Sequence, residues 1–315
     1  MNNVVVTRAK HENGFLEIFI NHYLNLGFDF IYIFIENNEN YNIINSKVDF
    51  ITHNYKGNKV IPFIFNNFLE KQQEKKRIDW VLHIDVDEFL FLKYNIKINE
   101  YISKFSRKNI GQFIFKWAMI ENLRSIDTEN DFQNIAAQCE LYSNNHYKSM
   151  INLEYLKKKN NAHAHVSDCI KDTYLDNIKI KSKLNGICQE TNNYTNAILV
   201  HYHTRCLENL FVKALVTNLS AKKIEPKILE QKYIANKLKE KMKKLQLPFI
   251  HKKNGEILNK KNIMQFKFNT NTKIDNKIIH NMLEEVCKIY NVNYNTVINY
   301  IKELELKYSK HFLCE

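Results

Sequence analysis

Hydrophobic and polar positions fall into alternating blocks along the first third of the chain. "VVVT" (4–7) is a short β-branched run of the kind that forms a buried parallel strand, and the polar loop "RAKHENG" follows it. Phe15, Leu16, Phe19, Ile20, Tyr23, Leu24 and Leu26 then recur at spacings of three and four, which predicts a helix ending at Gly27. "FIYIFIE" (30–36) reads as a second strand, so these blocks make a βαβ unit with an expected right-handed crossover. "VDFIT" (48–52) predicts a third strand. A helix with Pro62 in its first turn is expected to run to about Arg77, and "WVLHIDVD" (80–87) follows as a fourth strand. Strands alternating with helices imply an α/β domain with a largely parallel sheet, where ligands bind beyond the carboxyl ends of the strands.

The later pattern is less regular. A helix is expected around 99–107, and strand-like runs stand at "GQFIFKWAMI" (111–120), "SMINLEYL" (149–156), "AHAHVSDCI" (162–170) and "AILVHYH" (197–203). From about Glu208 the period turns helical, with a charged linker near 246–262. No repeat of 20 to 50 residues is visible. The pattern divides the chain into an α/β domain, 1–220, and a helical, Lys-rich region, 221–315.

Composition sharpens this only in places. With 315 residues, 44% of them hydrophobic, the chain can bury a sizeable core. Six Gly and three Pro leave most turns to Asn and Asp, which tolerate left-handed backbone. The formal charge of +12 suits a polyanionic partner, either nucleic acid or an anionic membrane surface, but stretches such as "KLKEKMKKLQ" (237–246) also read as solvated helix faces. The late Lys-rich region is a candidate dock for an anionic acceptor, such as a lipid-linked or phosphorylated glycan, or for a partner subunit. The six cysteines, Cys139, Cys169, Cys188, Cys206, Cys287 and Cys314, form no Cys-x-x-Cys pair, as expected of reduced thiols in a cytosolic protein. No apolar run has the length of a membrane span and "MNNVVVTRAKHENG" lacks a signal-peptide core, so any membrane contact is expected to be peripheral.

The chemistry concentrates in "DWVLHIDVDEFLFL" (79–92), where Asp85, Asp87 and Glu88 interrupt an apolar stretch. On an extended chain Asp85 and Asp87 point the same way, and two carboxylates facing one spot repel each other unless a cation or shared proton intervenes. Hard oxygen ligands suit Mg²⁺ or Mn²⁺, which can neutralise charge on a departing diphosphate.

Together with "RAKHENGFLEIFINHYLNLGFDFIYIFIENN", "HYKSMI", "HAHV" and "AILVHYHTRCLENLFVKAL", this segment resembles the GT-A glycosyltransferases related to glycosyltransferase families 2 and 92. The resemblance covers roughly residues 1 to 220 and rests most on "DVDEF" and "HYHTRC…K". It implies a GT-A, Rossmann-like nucleotide-sugar-binding domain with a helical C-terminal extension. It further implies a nucleotide-sugar donor, UDP-linked by expectation, whose diphosphate sits on Mn²⁺ or Mg²⁺. Asp85 would then lie near the donor ribose and the metal, Asp87 would ligate the metal, and His201 matches a late histidine used as a further ligand. Arg8, Glu12, Glu36 and Asn37 match positions facing the donor base and ribose, although "IENNEN" replaces the family's Asp-Asn-Ser type of turn. Lys148 and Arg205 match basic positions suited to diphosphate or acceptor charge. His165, which shares a face with His163 if extended, would orient an acceptor or transfer a proton, and an inverting reaction would take its base from Glu121 or Asp168. The acceptor is expected to be a hydroxyl on a glycan, lipid-linked or protein-linked.

Two rivals stand beside this reading. A haloacid-dehalogenase-like phosphohydrolase also places an Asp-x-Asp after an apolar strand, but on its first strand and without the following "EF". A nucleic-acid-binding protein would use the charge and the 20 Phe and 17 Tyr, yet most of these lie in apolar runs and no RNP, Gly-x-x-Gly or zinc-finger pattern occurs, so no nucleic-acid partner is expected.

Overall fold

The computed structural model describes residues 1–36, 39–54, 64–75, 77–106, 108–121, 141–159, 167–169, 171–180, 187–188, 194–212, 258, 266, 275–289 and 292–308. The chain divides into two compact units. The first comprises Met1–Ala118, Ser143–His201 and Leu258–Lys267, and the second comprises Met119–Tyr142, Tyr202–Ile257 and Phe268–Glu315.

The first strand, β1 (Asn3–Ala9), is followed by helix α1 (Leu16–Asn25), β2 (Phe30–Glu36) and β3 (Val48–His53). Gly27 ends α1 with φ +95°, a left-handed conformation that only glycine adopts cheaply, and a Cβ there would come within 3.1 Å of Lys97. A wide-turned helical segment, Ile64–Leu69, narrows into α2 (Glu70–Glu74), while Pro62 lies outside the described residues. Then come β4 (Trp80–His83), β5 (Glu88–Leu92), α3 (Ile98–Ser103), β6 (Ile110–Glu121) and β7 (Tyr142–Asn152). β8 (Leu156–Lys159), β9 (Ser167–Cys169), β10 (Asp172–Leu175), β11 (Ile178–Ile180) and β12 (Ala197–Thr204) complete the strands.

Ten of these strands share one sheet in the order β11-β10-β6-β7-β4-β1-β2-β3, with β12 pairing β5 and β6; β8 and β9 form a separate ribbon. The chain is therefore a mixed α/β protein. Its sheet is less parallel than the alternation of strands and helices predicts. β1 runs parallel to β2 and β4, β2 to β3, and β10 to β6, but β4–β7, β5–β12 and β10–β11 are antiparallel. An apolar run shows that a strand is buried and leaves its direction open, and β7 pairs β4 in the opposite sense.

Val4, Val6, Phe34, Leu69, Ile78, Val81 and Leu153 form a buried cluster within the first unit, with Tyr32, Phe68 and Ile51 packed against it. At about 25 cal/mol per Å² of apolar surface removed from water, such clusters are the main favourable contribution to folding. In the second unit, Leu207, Leu210 and Phe211 are buried on a helical turn at 207–212, and Cys206 is buried just before it. α4 (Asn276–Ile289) buries Ile279, Leu283 and Val286, and α5 (Tyr294–Tyr308) buries Val297, Ile301 and Leu304, each set recurring at three or four. Among the described residues no helix is long and apolar enough to cross a membrane, and Cys188, Cys206 and Cys287 are free thiols.

Candidate metal centre

β4 ends sooner than the apolar pattern predicts. It stops at His83, and Asp85 to Glu88 form a turn closed by the Glu88 N–H donating to the Asp85 carbonyl at 3.0 Å. Asp85 and Asp87 therefore do not share one face of an extended strand, and the turn sends them to different partners. The cause is the third acid, since the Asp85 N–H donates to Glu88 Oε2 at 2.9 Å and folds the chain back on itself. This turn lies at the carboxyl end of β4, on the edge where the parallel strands β1 and β2 also end.

On one side of the turn, Asp87, Glu88 and His201 gather, all buried, with one ligand atom from each within 4.8 Å of the others. Antiparallel pairing of β12 with β5 sets His201 opposite Glu88, and His201 Nε2 stands 3.5 Å from Asp87 Oδ2. Glu88 Oε1 is fully buried without a hydrogen-bond partner among the described residues, a costly state for a carboxylate unless something else meets it. Burial pushes the Glu88 carboxyl well above its ordinary range, against the pull of the nearby Lys148 ammonium. Two carboxylates, one with an orphaned oxygen, and one imidazole make a donor set that fits a divalent cation; this buried group could hold a metal ion.

On the other side stands Lys148 from β7. Its Nζ is 2.6 Å from Asp85 Oδ2 and 3.4 Å from Glu88 Oε2. Burial alone would push Asp85 up, but the Lys148 charge and hydrogen bond outweigh it and hold the carboxyl at about 2. Burial likewise disfavours charge on Lys148, and the surrounding carboxylates reverse that, so the ammonium is held well above its usual range. His83, also buried, is driven down to about 3 by burial and then by Lys148. Trp117 closes the group. Its ring centroid lies 4.4 Å from that of His201, 5.2 Å from that of His146 and 5.9 Å from Lys148 Nζ.

The expected donor-facing residues divide. Arg8 is exposed near the end of β1, and Glu36 is engaged by Lys10 at 2.9 Å. The Glu12 N–H donates to the Tyr41 hydroxyl, which in turn donates to Glu39, and His11 meets Glu39 at 3.3 Å. Asn37, His163 and His165 lie outside the described residues, as do the side chains of Glu121 and Asp168. Arg205 is buried in the second unit.

The sequence marks Glu88 only as the third acid interrupting an apolar stretch and assigns it no ligand role. The available signal was the cost of a carboxylate heading a run buried along its whole length. Compared with protein-family models and with curated proteins, the chain matches none.

Proposed function

We propose that the chain is a metal-dependent glycosyltransferase of GT-A, Rossmann-like form, moving a sugar from a nucleotide-sugar donor, UDP-linked, to a hydroxyl of a glycan or glycoconjugate acceptor. The observation that carries this reading is the buried Asp87, Glu88 and His201 group at the carboxyl end of a parallel strand, where α/β folds bind their ligands. Mn²⁺ or Mg²⁺ held there would supply Lewis-acid neutralisation of charge on a leaving diphosphate. Asp87 and Glu88 bring the hard oxygens such an ion prefers, and His201 brings a neutral imidazole nitrogen. Arg8, exposed on the same edge, would face the donor's base and ribose. Trp117 packs on His201 and restricts its ring, so the imidazole is oriented before any ion arrives. The reading carries with it a cytoplasmic setting with at most peripheral membrane contact, and no nucleic-acid partner.

Calorimetric titration of UDP and GDP into the full chain, with and without Mn²⁺, tests it. Binding of one nucleotide that needs the metal and vanishes in Asp87→Asn is expected. Absence of nucleotide binding with every divalent ion tried would remove the transferase reading.

A further inference from the structure

Three carboxylates meet in the acid turn, and only one of them faces water. Asp85 has 41% of its side-chain surface exposed, whereas Glu88 is fully buried and Asp87 nearly so. Beside them Lys148 Nζ is itself buried, donates to Asp85 at 2.6 Å, pairs with Glu88 at 3.4 Å and lies 5.9 Å from the Trp117 ring centroid. A lysine so placed is not a mobile arm waiting for a ligand. It is built into the wall.

With Asp87 and Glu88 ionised, as ligation requires, Asp85 ionised against Lys148 and His201 neutral, the cluster carries three negative charges and one positive. The remainder is a charge of −2, which one divalent cation balances. We propose that Lys148 is the fixed counter-ion of the acid turn: it takes Asp85 out of the ligand set and tunes the Asp87, Glu88 and His201 site to hold a single divalent cation. This rests on reading those three residues as a cation site. Two observations carry it. One is the orphaned, buried Glu88 Oε1, and the other is the division of the turn, with Oδ2 of Asp85 on Lys148 while His201 stands by Asp87. Lys148 here is a positioning residue, acting on the ion through charge and through the orientation of Asp85 and Glu88.

The test is a charge cycle on the full chain with Mn²⁺ alone as probe, followed by calorimetry and by the electron paramagnetic resonance signal of free Mn²⁺ at one fixed pH. Wild type is expected to bind one ion. Lys148→Met, at −3, binds it at least about tenfold more tightly, and Asp85→Asn, at −1, at least about tenfold more weakly, because a unit charge a few ångströms from the ion acts through a low effective dielectric. The double variant returns to −2 and to near wild-type affinity, and Lys148→Arg keeps wild-type behaviour. If Lys148→Met fails to fold, the double variant binding about tenfold more tightly than Asp85→Asn carries the same result. Loss of binding in both Asp85→Asn and the double variant makes Asp85 a direct ligand and overturns the proposal, as do affinities that ignore the charge of the turn. If wild type binds no Mn²⁺ but Lys148→Met gains it, Lys148 already serves as the cluster's cation, and the metal-dependent reading and this proposal are both overturned. Binding by none of the variants ends both.

Discussion

Around Leu90, its middle residue, β5 is held by α1 through neutral groups. His22 Nε2 lies 2.8 Å from the Leu90 carbonyl, and the Tyr23 hydroxyl donates to the Glu88 carbonyl at 2.9 Å while accepting from the Leu90 N–H at 3.1 Å. Phe89 packs edge-on to Phe19 and His22 in the same place. Two residues earlier, the Glu88 side chain enters a cluster of acids, an ammonium and an imidazole. Within five residues, the middle of the strand buries polarity by removing charge and its first side chain by opposing charges. The neutral part is a scaffold whose worth lies in packing and satisfied hydrogen bonds. The charged end adds little to stability and is useful only if something binds.

That contrast makes the largest stability effect fall on an apolar residue beside the site. Phe89→Ala is expected to cost about 3–5 kcal/mol in urea unfolding, the range for emptying a fully buried aromatic position. A cost under about 1 kcal/mol would mean the neutral part of β5 is not the scaffold.

Acid should act on the neutral part too. Burial lowers His22 from its ordinary 6.5 to about 4. Between those values the unfolded chain binds a proton that the folded chain refuses, so stability falls as pH drops through this window, by up to about 3 kcal/mol for this one group. His22→Gln, which can keep the donation to the Leu90 carbonyl, should flatten that part of the stability curve. His83, driven lower still, leaves a residual slope. A variant with the wild-type slope between pH 6.5 and 4 would show that His22 is not buried in its neutral form.

The scaffold was largely legible in the amino-acid pattern, and the charged end was legible only in part. Three-and-four spacing from Phe15 to Leu26 predicts α1, and Gly27 stops it with the positive φ that favours glycine. β-branched and aromatic runs mark β1, β2 and β4, whose shared edge follows from the βαβ order. The direction of β7 was hidden because hydrophobic patterning is the same read either way, and with it was hidden the approach of Lys148 to an acid 63 residues earlier. The turn geometry was missed for a local reason. Asp85 and Asp87 read as alternate positions of a strand until Glu88 Oε2 is seen to capture the Asp85 N–H and end it.

Tyr23→Phe probes the joint between the two parts. It strips one donor and one acceptor, leaving the Leu90 N–H and the Glu88 carbonyl without that partner inside the core, at an expected cost of about 1–3 kcal/mol. Because the same carbonyl belongs to a proposed ligand residue, Mn²⁺ affinity should fall with it, by roughly tenfold if bracing residues act here as outer-shell partners do elsewhere. Lost stability with unchanged affinity would uncouple scaffold from site.

The smallest stability change is expected where the chemistry is densest. Glu88→Gln keeps the shape and an acceptor for the Asp85 N–H while removing a carboxyl that burial already pushes towards its neutral form. Folding stability should therefore move by no more than about 1 kcal/mol, since nothing is emptied and no charge is left without its partner in the core. Mn²⁺ binding should drop by roughly 100-fold or more, because an amide cannot supply the anionic oxygen that the ion requires. Stability and affinity falling together would make Glu88 a structural acid tied to Lys148, whereas affinity falling alone assigns it to the ion and shows why a fully buried carboxylate stands at the head of an apolar strand.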